Sequence, residues 1–373
     1  MKKKRIRQVL KNLSNRIGER NASGPVKTIA VCAAQVPFFS GGAETHVNSL
    51  VKQLRVKGFE VELINIPYKW YPREQLLKSM QIWSLLDLSE SNGKKIDLVI
   101  STKFPSYFIR HPNKVLWLIH QYRQMYDLLH TPYSGFNPHS KTDMRFRKKL
   151  VNMDTRALRS YPRIYTNARN TAERLKTFNS INAVPLYHPP PLSGRYFCQD
   201  YQDFILSVGR LDELKRVDVF LRILKQCDRR IKGKIAGTGP DMNRLKKIAS
   251  DLDLHDRIDF LGFVPDDELL KLYANCRMVY FAPLDEDYGY VTLEGFLSKK
   301  PVVTAHDSGG PLEFVQDEVS GIVLSDLGGK ADAEKVESLF FDTDKCRLFG
   351  ESGYRRVKGI NWDHVIDALI GGK

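Results

Sequence analysis

The sequence is short of the features that would assign it quickly. No run reaches the about 18 consecutive apolar residues that a membrane-spanning helix needs. Five cysteines stand at 32, 198, 227, 276 and 346, and none forms a C-x-x-C pair. An odd number cannot all pair, so they read as buried or incidental thiols of a reducing compartment rather than a disulfide framework. The basic N-terminus has no apolar stretch behind it and does not read as a secretory signal. A cytoplasmic protein is the expectation. There is no low-complexity tract and no short-period repeat. No G-x-G-x-x-G occurs, no Walker A lysine follows the early glycines, and no nucleophile triad stands out. RNA-recognition, zinc and helix-turn-helix patterns are absent, and the basic residues are not interleaved with stacking aromatics, so nucleic acid is not expected as a partner.

What is present is an ordinary globular composition with an excess of positive charge. The 373 residues are 42% hydrophobic and 27% charged, with a formal net charge of +15. At about 150 residues per domain, two domains follow. Part of the charge is local. Lys2, Lys3, Lys4, Arg5, Arg7, Lys11, Arg16 and Arg20 face one acid, Glu19, within the first twenty residues. A second cluster holds Lys141, Arg145, Arg147, Lys148 and Lys149, followed by Arg156, Arg159 and Arg163. Such clusters attract anionic lipid, nucleic acid or phosphorylated substrates without choosing among them. Within 1–24, Ile6, Val9, Leu10 and Leu13 have helical spacing beside the cations, as a surface-seeking amphipathic helix would.

From Thr28 a strand–helix rhythm begins. Thr28–Ala34, Glu60–Ile66, Ile96–Ser101 and Lys114–Ile119 read as strands. A helix opens at Ala43, with Val47, Leu50, Val51 and Leu54 on one face and Gly58 as its stop. His188-Pro189-Pro190-Pro191 breaks the pattern, and 188–200 reads as a linker. The rhythm then restarts. Strands are expected at Phe204–Val208, Lys232–Ala236, Arg257–Leu261, Met278–Ala282 and Pro301–Thr304. Helices are expected near Val217–Cys227, Asp241–Leu252, Asp266–Ala274, Tyr290–Ser298, Pro311–Asp317 and Asp363–Ile370. Strands separated by crossover helices imply parallel sheets. The division predicted is a basic extension over 1–24, an N-terminal domain over 25–190, a second domain over 200–355, and a terminal segment over 356–373.

Four constellations lie where a strand gives way to a helix, the place where open parallel sheets bind ligands. Over 283–294, Pro-Leu-Asp-Glu-Asp-Tyr-Gly-Tyr-Val-Thr-Leu-Glu sets Glu286 in a loop and Glu294 about one turn into a helix, with Gly289 between them. Spacing alone also fits a solvated loop acid and a surface helix residue. Gly209-Arg210 followed by Lys215 puts two cations before a helix, suited to a diphosphate or simply to solvent. Ser308-Gly309-Gly310-Pro311 and Gly237-Thr238-Gly239-Pro240 are glycine turns of the same form. In the first domain, Ser40-Gly41-Gly42-Ala43-Glu44 opens the first helix and resembles a phosphate cradle, and His120 ends a strand. Asp285 and Asp287 form a D-x-D, set aside as a metal pair because glycine-loop chemistry can stabilise phosphate without a metal.

Taken together and in this order, these residues resemble the family 4 retaining glycosyltransferases. The resemblance covers nearly the whole chain after residue 27. It implies an α/β GT-B architecture: two tandem Rossmann-like domains facing a cleft, with Trp362 and the final helix crossing back to the first domain. Glu286 through Glu294 resembles the family's E-x7-E element, and Gly209-Arg210 with Lys215 its diphosphate clamp. The resemblance implies that Arg210 and Lys215 neutralise a departing nucleoside diphosphate, assisted by N–H groups around Gly289, Tyr290 and Val291. It implies that Glu294 accepts the ribose hydroxyls and that Glu286 holds the donor sugar and supports positive charge at its anomeric carbon. Gly262, Phe263 and Val264 take the base-contacting position, Gly41 and Gly42 the glycine turn beside the phosphates, and His120 the histidine near the sugar. The run Tyr165-Thr166-Asn167-Ala168-Arg169 lacks the serine the family often carries there. The implied activity is transfer of a hexose from a UDP- or GDP-linked donor to a sugar or lipid-linked acceptor, in cell-envelope polysaccharide or glycolipid synthesis. No cofactor or metal is implied beyond the nucleotide-sugar co-substrate. Residues 1–20 and 141–163 are candidates for contact with an anionic membrane surface, at the inner face. The alternatives are a nucleotide-sugar epimerase or a phosphorylase of the same architecture, and a non-catalytic basic protein that binds membrane or nucleic acid.

Overall fold

The computed structural model describes residues 25–38 and 41–371. The amphipathic extension expected over 1–24 lies outside the described residues, as does Ser40. The chain forms two compact units. One comprises the described residues of 1–167, Thr171–Leu186 and the described residues from Trp362 on; the other comprises Ala168–Asn170 and Tyr187–Asn361.

The first unit is a parallel sheet of six strands: β1 (Thr28–Gln35), β2 (Glu60–Pro67), β3 (Leu98–Ser101), β4 (Lys114–Leu118), β5 (Ile164–Thr166) and β6 (Val184–Pro185). Their spatial order is β2-β1-β3-β4-β5-β6. Helices α1 (Gly42–Val56), α2 (Glu74–Leu85), α3 (Lys141–Arg159) and α4 (Arg169–Asn179) connect them. Ile29 through Ala34 are all buried, as a central strand covered on both faces requires. Val47, Leu50, Val51 and Leu54 bury the periodic face of α1 against that sheet, and Gly58 ends it with φ +88°. The final helix, α11 (Trp362–Ile370), adds Val365, Ile366 and Leu369 to the same core. Its Trp362 ring meets Trp117 edge-on, with centroids 6.1 Å apart. The backbone carbonyl of Leu369 accepts from Arg163 at 3.0 Å.

The basic cluster at 141–163 proves to be mostly helix. Ser140 caps α3 by accepting from the Asp143 N–H at 3.2 Å. Lys141, Arg145, Lys148, Lys149, Arg156 and Arg159 are exposed. Arg147 and Arg163 instead donate to backbone carbonyls within the unit. The opposite stripe buries Leu150, Asp154 and Leu158.

Asp154 is the polar node of this core. Its two carboxylate oxygens accept from Tyr107 at 2.6 Å and Tyr126 at 2.7 Å. Asn179 donates to the Tyr126 hydroxyl at 3.1 Å and accepts from Gln121 at 2.7 Å. A buried polar group is tolerated when it is fully hydrogen-bonded in this way.

The second unit repeats the plan with β7 (Phe204–Val208), α5 (Val217–Gln226), β8 (Lys232–Ala236), α6 (Met242–Asp251), β9 (Ile258–Gly262), α7 (Asp266–Asn275), β10 (Met278–Tyr280), α8 (Tyr290–Leu297), β11 (Val302–Ala305), β12 (Gly321–Leu324), α9 (Lys330–Phe341) and α10 (Thr343–Val357). The six strands are parallel in the order β9-β8-β7-β10-β11-β12. Counted from the first strand of the unit, that is 3-2-1-4-5-6, the Rossmann order, and it reverses direction between β7 and β10. One expected helix is corrected. Pro311–Asp317 is only a short 3-10 turn, Gly310–Glu313. The chain must double back there to enter β12, and Asp317 accepts the Val323 N–H at 2.8 Å to fix the reversal.

Burial pushes the Asp154 carboxyl from its ordinary 3.8 up to about 6, against the pull of its hydroxyl donors. An acid whose folded pKa is raised loses folded-state stability as pH climbs from the unfolded value to the folded one. Over about two units the loss is roughly 3 kcal/mol. Asp154→Asn removes the titration. Chemical denaturation should therefore show wild type losing stability relative to Asp154→Asn between about pH 4 and 6, with the two curves parallel above that. Curves parallel throughout would contradict a raised Asp154.

Candidate active site in the second unit

The reversal of strand order leaves the carboxyl ends of β7 and β10 side by side with their helices departing in opposite directions. The cations and the glutamates of the candidate site grow from those two ends. At the end of β7 the backbone turns at Gly209, φ +139°. Arg210 and Lys215 follow in the loop before α5. With Gly209 and Phe281 they line a small recess at the strand ends. At the end of β10 the chain runs through Phe281–Leu284 to the loop that carries Glu286.

Backbone hydrogen bonds stitch the two loops together. The Leu284 N–H donates to the Leu214 carbonyl at 2.8 Å. Asp285 and Glu286 donate to the carbonyls of Asp307 and Ser308, both at 2.9 Å, and Gly310 returns a bond to the Glu286 carbonyl at 2.8 Å. The Glu286 loop is in effect a short strand extension beside 307–310. The result places the Lys215 Nζ 2.5 Å from a Glu286 carboxylate oxygen, with the two side chains 23% and 27% exposed. Arg210, 43% exposed, lies 4.0 Å from Asp212.

The glycine turns divide into two kinds. Gly237 and Gly239 are packing devices: a Cβ at 237 would lie 1.8 Å from the Gly209 carbonyl oxygen, and one at 239 would lie 2.1 Å from that of Leu211. They let the Gly237-Thr238-Gly239 turn support the Arg210 loop from beneath. Gly309 and Gly310 do the same for the Glu286 loop, since a Cβ at 310 would lie 2.7 Å from the Tyr288 carbonyl oxygen. Gly289 is the N-cap of α8, with φ +85° and a would-be Cβ 2.9 Å from Pro311. The first-turn N–H groups of α8, at Tyr290 and Val291, have no carbonyl partner within the helix and form the positive end of its dipole. The Tyr290 hydroxyl is 2.6 Å from His188 Nε2, so what Tyr290 can offer a ligand is its backbone.

Glu294 stands one turn into α8. Its carboxylate accepts from the Tyr273 hydroxyl at 2.6 Å and is also hydrogen-bonded by Tyr196. Burial raises its pKa and the two hydroxyls oppose that. Gly262, φ +67°, ends β9 two strands away, followed by Phe263, 80% exposed, and Val264. The Gly237 N–H donates to the Gly262 carbonyl at 2.7 Å, tying this edge to the turn beneath Arg210.

Thus the structure gathers Arg210, Lys215 and Glu286 at one pair of strand ends, with Gly289, Tyr290, Val291 and Glu294 on the helix that follows. Gly262, Phe263 and Val264 lie farther along the same sheet edge. Gly41, Gly42 and His120 belong to the first unit. Gly41 caps α1, its N–H held by Glu44 at 2.9 Å, and a Cβ at Gly42 would meet nothing within 4 Å. His120 follows β4 and shares a hydrogen bond with the Gln121 carbonyl at 2.9 Å. Asp285 of the D-x-D accepts from the Asn170 amide at 2.8 Å. Sequence reasoning missed Tyr273, Tyr196, Asp307 and Asn170. None carries a local signal, because each acts on a residue far along the chain.

Residues 197–356 match the family model described as glycosyl transferases group 1. An uncharacterized glycosyltransferase of Methanocaldococcus jannaschii is 35% identical over 175 residues, covering 46% of this chain and 45% of that protein. A GDP-mannose-dependent alpha-(1-6)-phosphatidylinositol monomannoside mannosyltransferase of Mycobacterium tuberculosis is 31% identical over 176 residues, covering 44% and 46%. The matched stretch spans less than half the length of these relatives. Among solved structures, sucrose-phosphate synthase from Thermosynechococcus elongatus superposes with a TM-score of 0.72 at 16% identity, covering 93% of this chain and 97% of that one. That likeness shows the fold, GT-B, with two Rossmann-like domains. Among the described residues no helix is long and apolar enough to cross a membrane.

Proposed function

We propose that this chain is a retaining, metal-independent glycosyltransferase that moves a hexose from a UDP- or GDP-linked donor to a sugar or lipid-linked acceptor of the cell envelope. The observation that carries the proposal is the Lys215–Glu286 pair at the Rossmann switch point, with Arg210 beside it. Breaking a glycosyl–phosphate bond builds negative charge on the diphosphate and positive charge on the anomeric carbon. A site that presents two cations and a carboxylate from adjacent strand ends supplies both signs where they develop. Lys215 turns from Glu286 to the diphosphate, joined by Arg210 and the N–H groups at the start of α8. Glu286, released, takes the hydroxyls of the donor sugar and faces the anomeric carbon. Glu294, oriented by Tyr273 and Tyr196, accepts from the ribose hydroxyls, and Phe263 with Gly262 and Val264 lies against the base. Gly41, Gly42 and His120 keep the phosphate and sugar contacts that the resemblance implies. The departing phosphate oxygen takes the acceptor proton on the face it leaves, which preserves the anomeric configuration. The two cations and the helix N-terminus do the neutralising that a divalent ion does in metal-dependent transferases. The GDP-mannose dependence named for the mycobacterial relative favours mannose among the donors.

The exposed cations of α3 and the basic extension are proposed to hold the enzyme against an anionic membrane that presents the acceptor, at on the order of 1 kcal/mol per cation.

A panel of UDP- and GDP-linked hexoses, assayed with EDTA present and a lipid-linked sugar fraction as acceptor, tests the proposal. One donor should be consumed with acceptor-dependent release of the nucleoside diphosphate and retained anomeric configuration in the product. Glu286→Ala should lose on the order of 10²-fold or more in turnover while still binding that nucleotide. If none of the donors binds, the reading is wrong. Binding to anionic liposomes should weaken when residues 1–22 are deleted, and unchanged binding would remove the basic extension from the account.

A further inference from the structure

The two members of the ion pair are flanked by strained backbone. Arg216, immediately after Lys215, has φ +51° and ψ +41°. Asp285, immediately before Glu286, has φ +43°. Left-handed backbone at a residue other than glycine costs free energy and persists only where surrounding contacts over-determine it. At both positions the residue's own side chain supplies such a contact.

Arg216 makes a two-pronged bond to Asp307, at 2.6 and 2.7 Å, with its side chain 15% exposed. That geometry is the strong form of a charge-assisted pair. The guanidinium also holds the Asp307 carboxyl below its ordinary range. The Tyr280 hydroxyl, from β10, donates to the Arg216 carbonyl at 2.9 Å and fixes the turn from the other side. Asp285 accepts from the Asn170 amide at 2.8 Å, and the same amide nitrogen donates to the Glu286 carbonyl at 3.0 Å. Both anchors meet on one segment. Asp307 takes the Arg216 side chain through its carboxylate and the Asp285 N–H through its carbonyl. Gly309, two residues on, leaves room for Asn170, whose amide nitrogen would lie 2.5 Å from a Cβ there. The segment 307–309 is thus a common base to which the Lys215 loop and the Glu286 loop are separately fastened.

We propose that Arg216 and Asp285 are positioning residues, locked in left-handed backbone by Asp307 and Asn170 so that the Lys215 ammonium and the Glu286 carboxylate are aimed at the same point. The proposal rests on the reading of this site as the donor site, and deepens it by naming the residues that set its geometry. None of the four touches the reacting atoms. Their effect is on placement, and a displacement of about 1 Å from remote positions costs on the order of 10²-fold in rate.

The test uses Arg216→Gly and Asn170→Ala in the full chain. Glycine relieves the backbone cost at 216 while deleting the fork to Asp307, so it separates the clasp from the strain. The alanine at 170 deletes one amide and serves if the glycine variant does not fold. The readouts are thermal melting, the Kd for the nucleoside diphosphate, and the split between kcat and donor KM. Expected is a variant that melts within a few degrees of wild type, with kcat lowered at least about 10-fold and KM changed much less. Arg216→Lys, which keeps one of the two prongs, should recover part of the kcat. A folded Arg216→Gly or Asn170→Ala with wild-type kcat overturns the proposal while leaving the donor-site reading intact. A wild-type chain that binds no nucleoside diphosphate overturns both.

Discussion

The ion pair between Lys215 and Glu286 is the interaction from which the rest of the second unit can be understood. The two residues are 71 positions apart in the chain and 2.5 Å apart in space. They meet because the 3-2-1-4-5-6 strand order sets the ends of β7 and β10 next to one another. A partly exposed pair of this kind contributes on the order of 1 kcal/mol to folding, so it does not hold the unit together. The unit holds it. Glycines at 237, 239, 309 and 310 let neighbouring backbone approach from beneath, and backbone bonds from 284–286 to 214 and 307–308 fix the loops. What this arrangement provides is a lysine and a carboxylate that satisfy each other until a more highly charged partner arrives. On the proposed reading a diphosphate is such a partner, and its capture of Lys215 would free the carboxylate for the sugar.

The first unit makes an instructive contrast. Its strand order reverses between β1 and β3, and there too a lysine from one strand end meets a glutamate from the other. Lys103 lies 2.5 Å from Glu44, with side chains only 9% and 12% exposed. Glu44 also accepts the Gly41 N–H and so closes the cap of α1. Breaking this pair would leave a buried charge and an open cap at once, which is expensive. The same pairing at two switch points therefore has two characters: nearly enclosed in the first unit and partly open to solvent in the second.

Much of this was legible in the sequence, where the physics is local. Buried apolar runs gave the central strands within a residue or two, from Thr28–Gln35 to Val302–Ala305. The order of glycine turns, cations and glutamates marked the strand ends at which the structure sets Arg210, Lys215 and Glu286. Where charge masked periodicity the reading was thinner. Lys141–Arg159 showed its cations, while its helical stripe of Leu150, Asp154 and Leu158 emerges only against the core. The helix expected at Pro311–Asp317 gave way to a turn because β12 must be entered from that point. The partners that orient the glutamates, Tyr273 for Glu294 and Asn170 for the Glu286 loop, are 21 and 116 residues away from what they hold. Such pairings are decided by the fold and leave no spacing to read. The glycine turn at 237–239 had the form of the other strand-to-helix turns, and its close backbone contacts give it a packing role.

The central claim is that Lys215 is held by Glu286 until a diphosphate takes it. Titration calorimetry of the nucleoside diphosphate against wild type, Glu286→Gln, Lys215→Ala and the double variant measures this directly. If the claim is right, Glu286→Gln binds the nucleoside diphosphate a few-fold more tightly than wild type while turnover is lost, because the competitor for Lys215 has been neutralised. The gain should vanish in the Lys215→Ala background. A Glu286→Gln protein that binds more weakly than wild type, or a gain that survives without Lys215, would contradict the exchange on which the account depends.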